Sequence, residues 1–158
     1  MIIDHQAWMQ KAIALAEEAR NQGEVPVGAI VVYQNEMIGE GFNQPILSSD
    51  PTAHAEIVAI RRACAHLQNY RLVNATLYVT IEPCAMCAGA IVHARIQQVV
   101  FGAFEPKAGA IESRDRFFEK TFLNHRVAFA SGIMAEESSL LLKDFFERRR
   151  MHAKQVSK

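Results

Sequence analysis

The sequence predicts an α/β fold built on a five-stranded mixed sheet. β-rich runs at 27–33 and 37–42, separated by three polar residues, predict an antiparallel hairpin. A strand at about 76–81, a helix at about 84–95 and a strand at 99–103 then follow in the order of a right-handed parallel crossover. When an antiparallel pair and a parallel pair of strands belong to one sheet, that sheet is mixed.

The remaining elements flank this centre. Apolar residues at helical spacing from about 4 to 21 predict an amphipathic first helix, and a second helix is expected at about 54–67. A fifth short strand is expected at about 126–130 and a closing helix at about 134–149. The stretch 104–123 carries no clear pattern.

Length and charge limit what the chain can be. The 158 residues suit one domain, 1–158, whose closing helix ends in a basic tail at about 148–158. The net charge is zero, with 17 Lys and Arg against 17 Asp and Glu, so the whole-chain charge gives no support to nucleic-acid binding. Positive charge is local instead: residues 141–158 carry six cations against two anions.

Cysteine use and hydropathy indicate the compartment. No stretch approaches the ~18 apolar residues of a membrane span, and the N-terminus lacks a signal-peptide pattern. Two of the three cysteines have metal-ligand spacing, whereas Cys64 continues an apolar helical series and is expected in the core. We therefore expect a cytoplasmic protein without a membrane partner.

The segment Pro-Cys-Ala-Met-Cys at 83–87 carries the clearest chemical signal. Cys84 and Cys87, at i and i+3, share one helix face, and Pro83 suits a first helical position. Both sulfurs then lie at a helix N-terminus, where the macrodipole and unpaired N–H groups favour the metal-binding thiolate. The spacing predicts two metal ligands.

Thirty residues upstream, His54 and Glu56 provide an imidazole and a carboxylate. Mid-helix they would point about 200° apart, so both must lie in the opening turn of their helix to face one metal. Asp50 or Thr52 can cap this turn and Pro51 can take its first helical place. Two helix N-termini are therefore predicted to meet.

Three protein ligands, His54, Cys84 and Cys87, leave a fourth coordination position for water, which is typical of a catalytic zinc site. Zinc lowers the pKa of such a water to about 7, and Glu56 is the carboxylate beside it that can move its proton. The alternative is a closed structural zinc site with one further histidine as the fourth ligand: His5, His66, His93, His125 or His152.

His-x-Glu followed by Pro-Cys-x-x-Cys is the signature of the zinc-dependent cytidine/adenosine deaminases, and the chain resembles the bacterial tRNA adenosine deaminases. The resemblance implies a three-layer α/β/α sandwich, one Zn2+ per subunit, a homodimer with sites near the subunit boundary, and conversion of adenosine to inosine at the tRNA wobble position. The matching segments span most of the chain: 24–29, 39–43, 50–56, 69–72, 75–80, 82–84, 86–90, 99–103 and 124–126.

The resemblance also implies substrate contacts. Asn43 matches a family position that contacts the target nucleoside, although an Asn before Gln-Pro also suits a turn. Val27 is a candidate for the base pocket, but an apolar strand residue is more often simply core. Glu105 is a third candidate, in the stretch 104–123 where the sequence departs from the family pattern.

The C-terminal run Phe-Phe-Glu-Arg-Arg-Arg is the candidate RNA contact. Arg148, Arg149 and Arg150 can pair with phosphates, and Phe145 can stack on a splayed base. The alternative is structural, because apolar residues at this spacing can be buried and cations near a helix C-terminus complement its dipole.

Two rival functions remain open. A free nucleobase deaminase, acting on guanine or cytosine, would use the same metal chemistry but has no need of Arg148 to Arg150. A noncatalytic zinc-bound RNA-binding subunit would gain nothing from Glu56 beside an open coordination position.

Overall fold

A five-stranded mixed sheet lies at the centre of the structure, a computed structural model that describes residues 3–156. The strands are β1 (Gly28–Tyr33), β2 (Glu36–Phe42), β3 (Thr76–Ile81), β4 (Gln98–Ala103) and β5 (Ala128–Ala130). Their order is β2-β1-β3-β4-β5, with β1 antiparallel to β2 and β3, and with β3, β4 and β5 parallel. The predicted mixed sheet is confirmed.

Helices cover both faces of this sheet and complete the α/β/α sandwich. They are α1 (His5–Asn21), α2 (Pro45–Ser48), α3 (Ala55–Leu67), α4 (Ala85–His93) and α5 (Ala135–Val156). Because strand side chains alternate, Val31 and Leu77 pack with α3 and α4 on one face, while Ile30 and Tyr78 pack with α1 on the other. None of the helices within 3–156 combines the length and apolar composition needed to cross a bilayer.

The contact between α3 and β2 is unusually close. A Cβ at Gly39 would collide with the backbone of Ala59, and a Cβ at Gly41 would come within 2.7 Å of Val58 Cβ. Only glycine therefore lets this helix lie directly on the strand. The position of α3 on the strand therefore fixes the position of its N-terminus, where the candidate site lies.

The starts of α3 and α4 differ from the prediction. His54 and Cys84 are the N-caps and have extended backbone, with ψ of 155° and 175°, so the helices begin one residue later at Ala55 and Ala85. The expectation that Pro51 and Pro83 occupy first helical positions was wrong, since both precede the caps.

The turn before α3 explains the position of Pro51. Asp50 does not cap the helix; its carboxylate accepts hydrogen bonds from the backbone N–H and the hydroxyl of Thr52, at 2.9 and 2.7 Å. These bonds close a local Asx turn that leaves Pro51 outside the helix.

Two other helices also depart from expectation. α5 continues to Val156 because its Arg, Met, Ala, Lys and Gln residues are good helix formers, so the predicted basic tail is helical through the last described residues. Lys158, counted in that tail, lies outside the described residues. The four-residue α2 was not predicted; buried Glu24 holds it by accepting N–H bonds from Ile46 and Leu47.

Candidate active site

Two helix N-termini meet at the carboxyl end of β3. His54 and Cys84 occupy the N-cap positions of α3 and α4, and Cys87 lies in the first turn of α4. β3 returns the chain from the far end of α3, which brings Cys84 beside His54 although the two are 30 residues apart. The predicted convergence of the three residues is therefore present in the fold.

The three donor atoms have the spacing of metal ligands. Nδ1 of His54 lies 3.6 Å from Sγ of Cys84 and 3.5 Å from Sγ of Cys87, and all three atoms lie within 4.8 Å of one another. Tetrahedral zinc with ordinary bond lengths would separate nitrogen and sulfur by about 3.6 Å. The donor set thus fits a single tetrahedral ion with three protein ligands.

No second histidine supplies a fourth ligand to this set among residues 3–156. Two of the alternative ligands are engaged elsewhere: His5 Nδ1 lies 2.8 Å from the Tyr78 hydroxyl, and His125 Nε2 lies 2.8 Å from the carbonyl of Ile96. The closed structural site weighed from the sequence is not formed.

The two thiols share one negative charge. A hydrogen bond from the Cys87 thiol, together with one from His54, lowers the pKa of Cys84 to about 4 despite burial. The same hydrogen bond to Cys84, with burial and nearby negative charge, raises the pKa of Cys87. Ionising both sulfurs therefore calls for a positive charge between them, which a divalent cation supplies.

Glu56 lies beside this cluster and is only 3% exposed. Burial raises the pKa of its carboxyl to about 6, although its own backbone N–H and His54 lower it. Such a carboxyl changes protonation state near neutral pH, which is what a general acid and base must do.

A cavity of about 440 Å³ opens onto these residues. Val27, Asn43 and Glu105, the three candidates for substrate contact, all line it together with Glu56. The backbone N–H of Asn43 donates to the carbonyl of Val27 at 3.0 Å, while its side-chain amide makes no hydrogen bond within residues 3–156. That amide is therefore free to meet a ligand.

A second cavity, of about 730 Å³, lies at the opposite end of the sheet. It is larger, but none of the candidate site residues lines it. The chemistry of the donor set, rather than cavity size, decides which cavity is the site.

Comparison with known proteins agrees with this geometry. The family model described as MafB19-like deaminase matches residues 3–150. A tRNA-specific adenosine deaminase of Haemophilus influenzae is 53% identical over 147 residues, covering 92% of this chain and 85% of the relative. The chain belongs to the tRNA-specific adenosine deaminase family.

One solved structure supports this family assignment, and a second shares the fold. A structure from a study of A-to-I editing by tRNA:A34 deaminases at the wobble position of transfer RNA has a TM-score of 0.84 and 43% identity, covering 86% of this chain and 99% of that one. A guanine deaminase from Nitrosomonas europaea has a TM-score of 0.74 at 21% identity, covering 92% of this chain and 86% of that one. The second likeness shows the shared fold alone.

In this member of the deaminase family, the closing helix also reaches the cavity. Ser139, Leu142 and Phe146, at i, i+3 and i+7, line it from α5. Phe145 lies on another face, with the guanidinium of Arg149 placed 5.6 Å from its ring centroid. The sequence prediction singled out Phe145 of this Phe-Phe pair for RNA contact and did not assign Phe146 to the cavity, because helical spacing alone does not fix which face of α5 turns toward it.

The three consecutive arginines have different surroundings. Arg148 pairs with Asp144 at 3.2 Å, Arg149 covers the Phe145 ring, and Arg150 makes no ion pair within residues 3–156. All three are exposed and none lines the cavity. They can contact only parts of a substrate that extend beyond the cavity.

Glu82 is a further cavity residue that sequence reasoning did not single out as functional. It is 2% exposed and lies two residues before Cys84. Burial alone would raise the pKa of its carboxyl, but hydrogen bonds from the Ser113 hydroxyl and from the backbone of Glu112, Ser113 and Glu105 leave that pKa lowered. Glu82 is thus a buried anion held by donors from one loop.

Proposed function

We propose that this chain is a zinc-dependent deaminase that converts adenosine to inosine at the wobble position of a tRNA anticodon. The observation that carries the chemistry is the triangle of His54, Cys84 and Cys87 donors beside buried Glu56. Support for the substrate comes from the relatives, which are tRNA-specific adenosine deaminases.

His54, Cys84 and Cys87 would hold one zinc ion per subunit, and their mutual distances suit it. When bound, zinc supplies a water whose pKa is about 7 and which is therefore nucleophilic at neutral pH. Since the protein contributes three ligands, the fourth position stays available for that water.

Glu56 is the proposed catalytic acid and base. Its pKa of about 6 would let it take one proton from the water to the adenine ring nitrogen, and then take the second proton, from the oxygen now bonded to C6, to the leaving amine. The water oxygen becomes bonded to C6, the bond between C6 and the exocyclic nitrogen breaks, and ammonia leaves. The net change replaces an amidine by an amide.

The cavity walls would orient the base for this reaction. The unpaired amide of Asn43 can hydrogen-bond the nucleoside, Val27 offers apolar contact, and Glu105 lines the same cavity. Phe146, 39% exposed and at the cavity edge, can stack on a base.

RNA outside the cavity would meet the end of α5. An anticodon loop is single-stranded, so extruding its first base costs only a few kcal/mol of unstacking. Arg148, Arg149 and Arg150 can pair with loop phosphates, and Phe145 beneath Arg149 provides an aromatic face. Localised charge of this kind allows a neutral protein to bind tRNA.

We further propose a homodimer acting in the cytoplasm, where tRNA and reduced thiols are found. Ile46 and Leu47, on α2 next to Asn43, are 67% and 53% exposed and offer apolar surface for a second subunit beside the site. Light scattering of the purified protein gives the oligomeric state directly.

One assay tests the function. Purified protein is incubated with an anticodon stem-loop that has adenosine first in the anticodon, and in parallel with free adenosine, guanine and cytidine, while inosine and ammonia are measured. We expect inosine from the stem-loop only. Ammonia from guanine, without inosine from the stem-loop, would establish the free-base alternative instead.

A further inference from the structure

The loop that follows β4 has its shape set by one buried carboxylate. Glu82 Oε2 accepts backbone N–H bonds from Ile111, Glu112 and Ser113, at 3.1, 2.8 and 2.9 Å. Its Oε1 accepts the N–H of Glu105 at 3.1 Å and the hydroxyl of Ser113. Five donors from one loop therefore converge on a single side chain.

The loop is fitted closely around this carboxylate. A Cβ at Gly109 would overlap the Glu82 carboxyl group and would lie 2.6 Å from the carbonyl oxygen of Glu105. The N–H of Ala110 also donates to the carbonyl of Pro83 at 2.9 Å. The loop backbone is thus tied to both Glu82 and Pro83, immediately before the metal ligand Cys84.

The same loop forms one wall of the cavity. Its residues Phe104, Glu105, Pro106 and Ala108 line the cavity that His54 and Glu56 also line. Residues 104–113 contain neither a strand nor a helix, although turn hydrogen bonds such as that from the Gly109 N–H to the Glu105 carbonyl, at 2.9 Å, lie within them. The contacts to Glu82 add the restraint that ties these turns to the end of β3.

We infer that Glu82 is a positioning residue, which holds the 104–113 loop as the substrate-side wall of the cavity and so sets substrate affinity without taking part in the metal chemistry. The inference rests on the proposed function and deepens it. The single carboxylate links the β3 end, which carries the metal ligands, to a loop whose own sequence has no structural pattern.

Glu82→Gln is the central test. An amide group would turn a donor toward backbone N–H groups that now find an acceptor. At least one of the five hydrogen bonds is therefore lost, even if the Ser113 hydroxyl reverses its role and accepts, while side-chain size is kept. Glu112→Gln is the matched control, because it removes one charge from the same loop but leaves the backbone N–H that contacts Glu82.

Three quantities are measured for each variant. Hydrogen exchange of residues 104–113 measures how firmly the loop is held, and bound zinc per chain measures whether the metal site is intact. Separate kcat and KM values on the anticodon stem-loop show whether the cavity wall still binds the substrate. For Glu82→Gln we expect faster exchange, unchanged zinc, and kcat/KM lowered roughly 10- to 100-fold, mainly through KM. The Glu112→Gln protein should match the wild type in all three.

Two other variants keep the test decisive if Glu82→Gln does not fold. Ser113→Ala removes one of the five bonds and should give a smaller change in the same direction, while Gly109→Ala disturbs the fit from the loop side. Because both act through one loop, Gly109→Ala and Glu82→Gln should be strongly non-additive in kcat/KM.

Unchanged exchange in these variants, or an activity loss that merely follows zinc loss, would overturn the inference. An unchanged KM despite a loosened loop would overturn it as well. A wild-type enzyme that fails to deaminate the stem-loop contradicts the proposed function instead, and in that case the exchange data still decide whether Glu82 holds the loop.

Discussion

Nε of Arg148 lies 3.2 Å from a carboxylate oxygen of Asp144, one turn earlier on α5. Arg150, two residues further along, makes no such pair within residues 3–156. The two guanidinium groups thus differ in how much of their charge is already compensated inside the protein. Arg150, whose charge is less compensated, should therefore contribute more to RNA binding than Arg148.

We predict that Arg150→Gln weakens stem-loop binding more than Arg148→Gln. Arg150 has no ion pair with a carboxylate that must break before it contacts a phosphate. Each lost phosphate contact to a single strand should reduce the magnitude of the slope of log K against log salt by about 0.7. Fluorescence anisotropy between low and moderate salt measures both slopes. Lys11→Gln, at an exposed site on α1, is the control. Equal slopes for all variants would contradict the prediction.

The Glu56→Gln enzyme should lose at least about 10²–10⁴-fold in kcat, since an amide cannot transfer the proton. Zinc content should stay at the wild-type level because the three donors are untouched. Glu36→Gln, at an exposed site on β2, removes an equal charge and should leave kcat unchanged. Full activity of the Glu56→Gln protein would rule out the assigned role.

Cys87→Ser should abolish both zinc binding and turnover, because a hydroxyl replaces one of three thiolate or imidazole donors. The matched control is Cys64→Ser. Cys64 packs at the edge of the core far along α3, and burial raises its thiol pKa, so it should contribute nothing to the metal. Elemental analysis and inosine formation, before and after chelator treatment, check both expectations.

Phe146→Ala and Phe145→Ala should separate two functions of neighbouring rings. Phe146 lines the cavity, and a base–aromatic stack is worth about 1–3 kcal/mol, so its loss should lower kcat/KM for the stem-loop about tenfold. Phe145 lies under Arg149, and its loss should act on RNA affinity alone. Stem-loop kinetics and anisotropy distinguish them; a larger kinetic defect in Phe145→Ala would reverse the assignment.

Sequence pattern was sufficient for the sheet and the metal cluster because both rest on local, periodic signals. The order of strands and helices predicts the mixed sheet. Helix geometry orients the pairs His54/Glu56 and Cys84/Cys87, and the strand between the two helices brings them together. The exact caps were missed, since Pro51 and Pro83 suit a first helical turn locally while the surrounding fold holds them outside it.

Features that depend on distant partners left no periodic signal. α2 is held by Glu24 from more than 20 residues away, and the 104–113 loop is shaped by Glu82 from a similar distance. The distinction between Phe145 and Phe146 depends on how α5 is rotated against the sheet. Only tertiary packing determines that rotation.

Gly39 and Gly41, beneath α3, bear on how this enzyme can change over evolutionary time. The helix that presents His54 and Glu56 rests on bare backbone, so one added methyl group there would displace the reacting centre without altering any of its atoms. Neither glycine position therefore admits a larger residue unless the helix moves. Two residues that do not contact the substrate thus limit where the residues that do contact it can be placed.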